Sequence, residues 1–221
     1  MTPSPSPLPE LPWQITGNHW LAIPCIHPAT GGVHAIGLLH RGARGALEFA
    51  GDPGFERGEG PALLAPSIAV DGVARPLSGE QMAWERAMGW LPTFTCPLGS
   101  LLLRGTVFAP FGRDADVAGV VYALSVENRG DASAEVTLAL DGTLGHRQLR
   151  VRSGRPLVDQ ALVSRGDGEG EVLLLEGAGQ PGLAALAIGA DGPAELEVGD
   201  AGGSAPRYRI ARRLTVPAGG R

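Results

Sequence analysis

Apolar residues recur at every second position over much of this chain, and the runs that carry them are short. From Leu101 to Ala109, Leu101, Leu103 and Val107 fall on one side of an extended segment, with Leu102, Arg104, Thr106 and Phe108 on the other. That spacing predicts a strand with apolar groups on both faces. Val120, Tyr122, Leu124 and Val126 alternate in the same way, as do Val136, Leu138 and Leu140, with turn-forming residues Asn128 to Asp131 between them. The pair reads as a hairpin with one wet side. A final half-buried strand is predicted where Tyr208, Ile210, Leu214 and Val216 alternate with Arg207, Arg209, Arg213 and Thr215.

Turn chemistry supports the same picture. Asp71-Gly72 between Val70 and Val73 satisfies the two positive φ angles of a type I′ hairpin, and Gly31-Gly32 precedes a strand predicted over His34 to Leu39. Further short runs at Val172 to Leu175, Leu183 to Ile188 and Ala194 to Val198, separated by Gly- and Asp-rich stretches, extend the meander. Only Ser78 to Met88 has helical character, with Met82, Glu85 and Arg86 suitably spaced behind Ser78 as N-cap, and it is short enough to be a loop instead. Strands at roughly ten-residue intervals with at most one short helix predict an all-β chain: a large two-sheet antiparallel β-sandwich.

Composition refines this reading without redirecting it. A chain of 221 residues with 43% hydrophobic content is long enough for one domain with a substantial core, and 34 glycines with 19 prolines fit many tight reversals. Residues 1–12, rich in Pro and Ser, read as a disordered leader, 13–217 as the sandwich, and 218–221 as a flexible tail. All 18 basic residues are arginine and the net charge is -5, which leaves no basic face for nucleic acid. No lysine is present for Schiff-base or P-loop chemistry. With no run of membrane-spanning length and no export signal, a cytoplasmic protein without membrane contact is expected, and Cys25 and Cys96 read as reduced, buried thiols.

Candidate chemistry is sparse. His19, His27, His34 and His40 cluster near the N-terminus, but His34 and His40 lie six residues apart on one strand, roughly 20 Å at about 3.3 Å per residue, too far to share an ion. His27 faces His34 if the turn centres on Thr30-Gly31 and misses it by two positions if it centres on Gly31-Gly32. A third ligand would have to come from His19, Cys25 or a distant carboxylate, so neither metal nor other cofactor is expected. Asp114 with Asp116 fits a turn, and Glu80 with Glu85 an exposed face, better than a glycosidase acid pair roughly 5 to 9.5 Å apart. No nucleophile elbow, Cys-x-x-Cys or phosphate loop occurs, so no catalytic residue is assigned. Trp20, Trp84 and Trp90 are the side chains that would form a sugar-stacking platform if exposed.

Two stretches carry a resemblance, Asn18-His19-Trp20 through Arg41 and especially Trp84 to Gly142, and its elements are Ser67 to Gly72, Gly99 to Pro110 with its Val107 to Pro110 ending, and Val126 to Asp131 followed by Val136 to Leu138. Together they resemble the N-terminal β-sandwich of six-hairpin, (α/α)6-barrel glycosidases and phosphorylases of the cellobiose phosphorylase kind. The resemblance covers about half of the chain. It implies a supersandwich similar to galactose mutarotase, acting as a non-catalytic module that packs against and orients a helical catalytic domain or subunit. His19, Trp20, His34, Trp84 and Trp90 are then the residues expected near a carbohydrate. Two alternatives remain beside it. One is a mutarotase-like epimerase pairing His146 with Glu127 or Glu135, or His34 with Glu48; the other is a glycan-binding or assembly sandwich without activity.

Overall fold

The structure, a computed structural model, describes residues 18, 23–40, 45–51, 61–150, 156–157, 161–166, 171–176, 185–199 and 207–220. Among the described residues seventeen strands occur in chain order. They begin with β1 (Ile23–Ile26), β2 (Val33–His40), β3 (Gly45–Ala50), β4 (Ala65–Val70), β5 (Val73–Arg75) and β6 (Ala83–Ala87). Then follow β7 (Leu91–Leu98), β8 (Leu101–Phe108), β9 (Val121–Asn128), β10 (Ala134–Thr143), β11 (His146–Arg150) and β12 (Pro156–Leu157). The last are β13 (Ala161–Gly166), β14 (Glu171–Glu176), β15 (Ala185–Gly189), β16 (Glu195–Gly199) and β17 (Arg207–Val216).

Among the described residues the chain is all-β, as its alternation predicts, and its strands form four antiparallel sheets, an arrangement consistent with a β-sandwich. Sheet I runs β1-β2-β3-β11-β12, sheet II β16-β17-β10-β4-β5, sheet III β6-β7-β8-β9 and sheet IV β13-β14-β15. Ile68, Val136, Leu138 and Val216 from sheet II join Phe94, Cys96, Leu101, Leu103 and Val126 from sheet III in one buried cluster. Both sheets therefore turn their apolar parity inward onto a shared core. Phe49, Leu63, Leu144, Leu173 and Tyr208 form a second cluster, where sheets I, II and IV meet. Among the described residues no helix is long and apolar enough to cross a membrane.

Local expectations hold where the turn dictates the pairing. Asp71 (φ 50°) and Gly72 (φ 76°) close the β4–β5 hairpin, with Val70 opposite Val73. Strand β8 buries Leu101, Leu103 and Val107 as read, and β17 buries Tyr208, Ile210 and Val216. The runs at Val172 and Leu183 become β14 and β15 of sheet IV, residues 183–184 lying outside the described ones, whereas the run at Ala194 becomes β16 and joins β17 in sheet II.

Two expectations are corrected. Strands β9 and β10 are not a hairpin: β9 pairs with β8 in sheet III, while β10 lies between β4 and β17 in sheet II. The segment between them crosses from one layer to the other, which satisfies the same alternation because both strands face the shared core. Asn128 holds the crossing, its side chain donating to Ala132 O at 2.8 Å and Val216 O at 3.0 Å and accepting from Gly130 N–H at 3.0 Å. Nor does Ser78 to Met88 hold a helix, since Ala83–Ala87 pairs with β7 as an edge strand. The ladder with β7 and the packing of Trp84 on Phe94 outweigh the helix propensity of Ala, Glu and Arg there.

Residues 1–12 lie outside the described ones. At the other end, Gly220 O accepts from Asn128 N–H at 2.8 Å, which ties the last described residues to the crossing.

Candidate functional site

Of the expected sugar-contacting residues, His34, Trp84 and Trp90 are among those described. His19 and Trp20 lie outside the described residues. His34 is buried on β2, its ring 5.5 Å from that of His27 and tilted against it. The register at this turn pairs Ile26 with Val33, with a bulge after Cys25, and His27 N–H donates to Gly32 O at 2.8 Å, so the reversal centres on Ala29-Thr30, one residue before the nearer of the two turns considered from sequence. His27 is itself buried, and its Nδ1 accepts from Ala29 N–H at 3.2 Å.

Trp84 is also structural. Its indole N–H donates to Pro28 O at 2.8 Å and its ring packs 5.3 Å from Phe94, pinning the β1–β2 turn to sheet III. Tyr122 adds a second pin through its hydroxyl, which donates to Gly31 O at 2.7 Å, and burial pushes its pKa well up. Among the described residues no three His, Cys, Asp or Glu side chains gather to hold a metal ion. Cys25 and Cys96 are not disulfide-bonded to one another, and burial raises the Cys96 pKa.

Nor do His34 and Glu48 assemble as an acid-base pair. Glu48 stands opposite Gly37 on β3, while His34 shares parity with Ile36, which stands opposite Phe49. His34 and Glu48 therefore project from opposite faces of sheet I. Glu127 pairs with Arg129 at 2.8 Å, and Glu135 accepts from the Thr215 hydroxyl at 2.7 Å. His146 lies on β11 of sheet I, on neither glutamate's sheet. Asp114 and Asp116 are exposed beside a 3-10 turn, and Glu85 pairs with Arg104 at 3.4 Å.

Burial of His27 lowers its pKa below the ordinary histidine value. The unfolded chain then binds this proton more readily than the folded one, so His27's contribution is intact above pH about 6.5 and is lost as pH falls below it. His27→Asn keeps an acceptor for Ala29 N–H but does not titrate. Urea melts from pH 7.5 to 5 are expected to show a shallower loss of stability in His27→Asn than in the wild type; parallel profiles would count against the assignment.

Of the expected residues that are described, Trp90 alone stands at the surface, and it has neighbours that sequence reasoning missed. Its ring meets Phe111 edge-on at 4.8 Å, and Phe111 meets Phe108 at 5.8 Å. Phe108 pairs with Val121 across β8 and β9. Met88 is 82% exposed, Phe111 45%, Val121 40% and Trp90 37%, a concentration of apolar surface at one end of sheet III unlike scattered single exposures.

The backbone under this patch is strained. Met88 has φ 54° and Gly89 φ 81° in the turn from β6 to β7, where Gly89 N–H and Trp90 N–H bond Arg86 O and Ala87 O. A left-handed conformation costs an ordinary L-residue roughly 1–2 kcal/mol, and a thioether as exposed as that of Met88 recovers little of it by packing. Met88→Gly is accordingly expected to stabilise the fold by about 0.5–1 kcal/mol, the gain being reduced by the entropy glycine loses on folding. Thermal melts check this, and an unchanged or lowered Tm would show that Met88 makes stabilising contacts.

No protein-family model, curated protein or solved structure matches the chain.

Proposed function

We propose that this chain is a non-catalytic β-sandwich module of a carbohydrate-active enzyme, and that it docks a helical catalytic domain or subunit through the patch formed by Met88, Trp90, Phe108 and Phe111. The observation that carries the reading is the patch itself: aromatic rings and a methionine, the residue types enriched at interfaces, exposed together on a strained turn. A surface made for a lasting partner is apolar where a monomer's would be polar. The carbohydrate context and the helical partner come from the resemblance, whose stretches at Ser67 to Gly72, Gly99 to Pro110 and Val126 to Asp131 belong to β4, β8 and β9 and to the turns beside them.

The test pairs the chain with a helical-barrel domain of the kind the resemblance implies, by calorimetry, against a glycan array as second arm. Wild type is expected to bind the helical domain and no glycan. The double variant Trp90→Ala/Phe111→Ala should lose at least about 2 kcal/mol of that affinity, as buried aromatic anchors do. Its folding stability should fall by no more than about 1 kcal/mol, since both rings are partly exposed. Glycan binding that vanishes in the double variant would replace the docking reading with a carbohydrate-gripping one. An absence of binding in both arms would leave neither standing.

A further inference from the structure

A cavity of about 720 Å³ opens on the side of the molecule where sheet III ends. Its walls come from β2, β9, β10, β15 and β17, and aliphatic side chains such as Ile36, Leu64, Leu124, Leu140, Ile188 and Leu214 dominate them. A volume of this size, lined mostly by apolar side chains, falls in the range of ligand-binding clefts.

The polar side chains that line it are already engaged. Tyr122 donates to Gly31 O at 2.7 Å, and Tyr208 donates to Leu63 O. Arg212 pairs with Asp191 at 2.9 Å and donates to Pro193 O at 3.1 Å. What the cavity offers for recognition is therefore backbone.

Strand β9 ends sheet III, and β15 ends sheet IV. Asn128 N–H points away from β8 to Gly220 O, and the antiparallel alternation then turns the N–H and C=O of Tyr122 and Leu124 away from β8 as well. Val121, Tyr122, Ala123 and Leu124 all line the cavity, both parities together, which places the edge of β9 itself in its wall. Across it stands Leu186–Gly189 of the edge strand β15. Among the described residues no strand pairs with either of these edges.

We propose that this slot receives an extended, apolar peptide segment of a partner polypeptide, which adds to the edge of β9 as a strand. An acyl chain would fill the aliphatic space yet leave the edge amides facing hydrocarbon, whereas a peptide satisfies both, with alternate side chains entering the cavity. A second copy of the chain fits poorly, because its own edge strand would bring a whole sheet into a recess bounded by β2, β17 and β15. The site shares Val121 with the margin of the Trp90 patch but contains none of the docking residues Met88, Trp90, Phe108 and Phe111, and this inference goes beyond the docking reading, so either can fail while the other stands.

The experiment selects a displayed library of random seven-residue peptides against the full chain and resynthesises the winners. Peptides alternating apolar with other residues are expected to be enriched. N-methylation at every second residue should weaken binding at least 10-fold in one phase of methylation and little in the other. Hydrogen exchange at the Tyr122 and Leu124 amides should slow when the peptide binds. Ala187→Trp, at an exposed cavity-lining position of β15, should remove binding without unfolding the chain.

Failure to enrich any peptide would overturn the proposal. So would binding that tolerates both phases of methylation, or that leaves Tyr122 and Leu124 exchange unchanged. Dodecanoate binding that Ala187→Trp abolishes, with no peptide bound, would assign the cavity to an acyl ligand. Self-association that Ala187→Trp abolishes, again with no peptide bound, would assign it to a second copy; each of these results overturns the peptide reading.

Discussion

Gly142→Ala is expected to destabilise this protein by about 3–5 kcal/mol, close to the whole stability of a marginal domain. Gly142 lies on β10 opposite Tyr208 of β17. A β-carbon there would overlap both the Leu63 carbonyl oxygen and the Tyr208 hydroxyl, the two ends of a buried hydrogen bond. Neither can withdraw cheaply. Leu63 and Tyr208 are buried in the cluster where sheets I, II and IV meet, and a hydroxyl driven off its carbonyl leaves both groups unsatisfied. Gly37→Ala supplies the contrast: Gly37 lies within β2, its β-carbon would meet nothing within 4 Å, and its φ is not positive. Alanine there should be neutral or stabilising by up to about 1 kcal/mol. Urea unfolding of both variants decides the matter, and a Gly142→Ala protein within about 1 kcal/mol of wild type would show that the β10–β17 contact has room to shift.

The contrast between these two glycines marks how far the sequence could be read. Period-two alternation identifies strands and their buried parity, because burial of one face needs nothing beyond the strand itself, and β8 and β17 were legible for that reason. Alternation is silent on partners. Strands β9 and β10 carry the pattern of a hairpin, but two strands facing each other across a core need the same pattern as two that pair side by side. The difference lies in where Asn128 sends its hydrogen bonds, and Val216 is 88 residues away. Ser78 to Met88 misled for the opposite reason: its local preference is helical, and the ladder with β7 that overrides it is a tertiary fact.

The candidate surface was half legible. Trp84 and Trp90 are indistinguishable by composition, and only contacts separate a tryptophan that pins a turn from one that faces outward. A usable signal did exist at Met88-Gly89-Trp90. Gly after a short strand predicts a positive-φ turn, and a large apolar residue beside it places exposed hydrophobic surface at the turn. Phe111 joins them from a loop more than 20 residues later, which no local pattern reveals.

Asn128→Asp is expected to destabilise the fold at pH 7 by more than Asn128→Ala does, although aspartate is the closer match in shape. Asn128 is 1% exposed and makes three side-chain hydrogen bonds, two as donor to Ala132 O and Val216 O, one as acceptor from Gly130 N–H. Alanine removes all three and orphans their partners, for a loss of about 2–3 kcal/mol. Aspartate retains the bond from Gly130 but turns an oxygen toward two carbonyl oxygens and buries a charge, which should bring the loss to about 4 kcal/mol or more. The sign of the pH dependence follows from the same geometry. Burial against two acceptors raises the folded-state pKa of the new carboxyl above its unfolded value of about 3.9, so the deficit is full above the folded pKa and shrinks as pH falls through it. Once protonated, the carboxyl donates to one of the two carbonyls, and the aspartate variant should then equal or exceed the alanine variant in stability. Denaturant melts of both variants at pH 7 and pH 4.5 measure this crossing. An aspartate deficit that stays constant between those values, or stays smaller than alanine's at pH 7, would mean that the crossing between sheets III and II is not held by an amide donating to Ala132 and Val216.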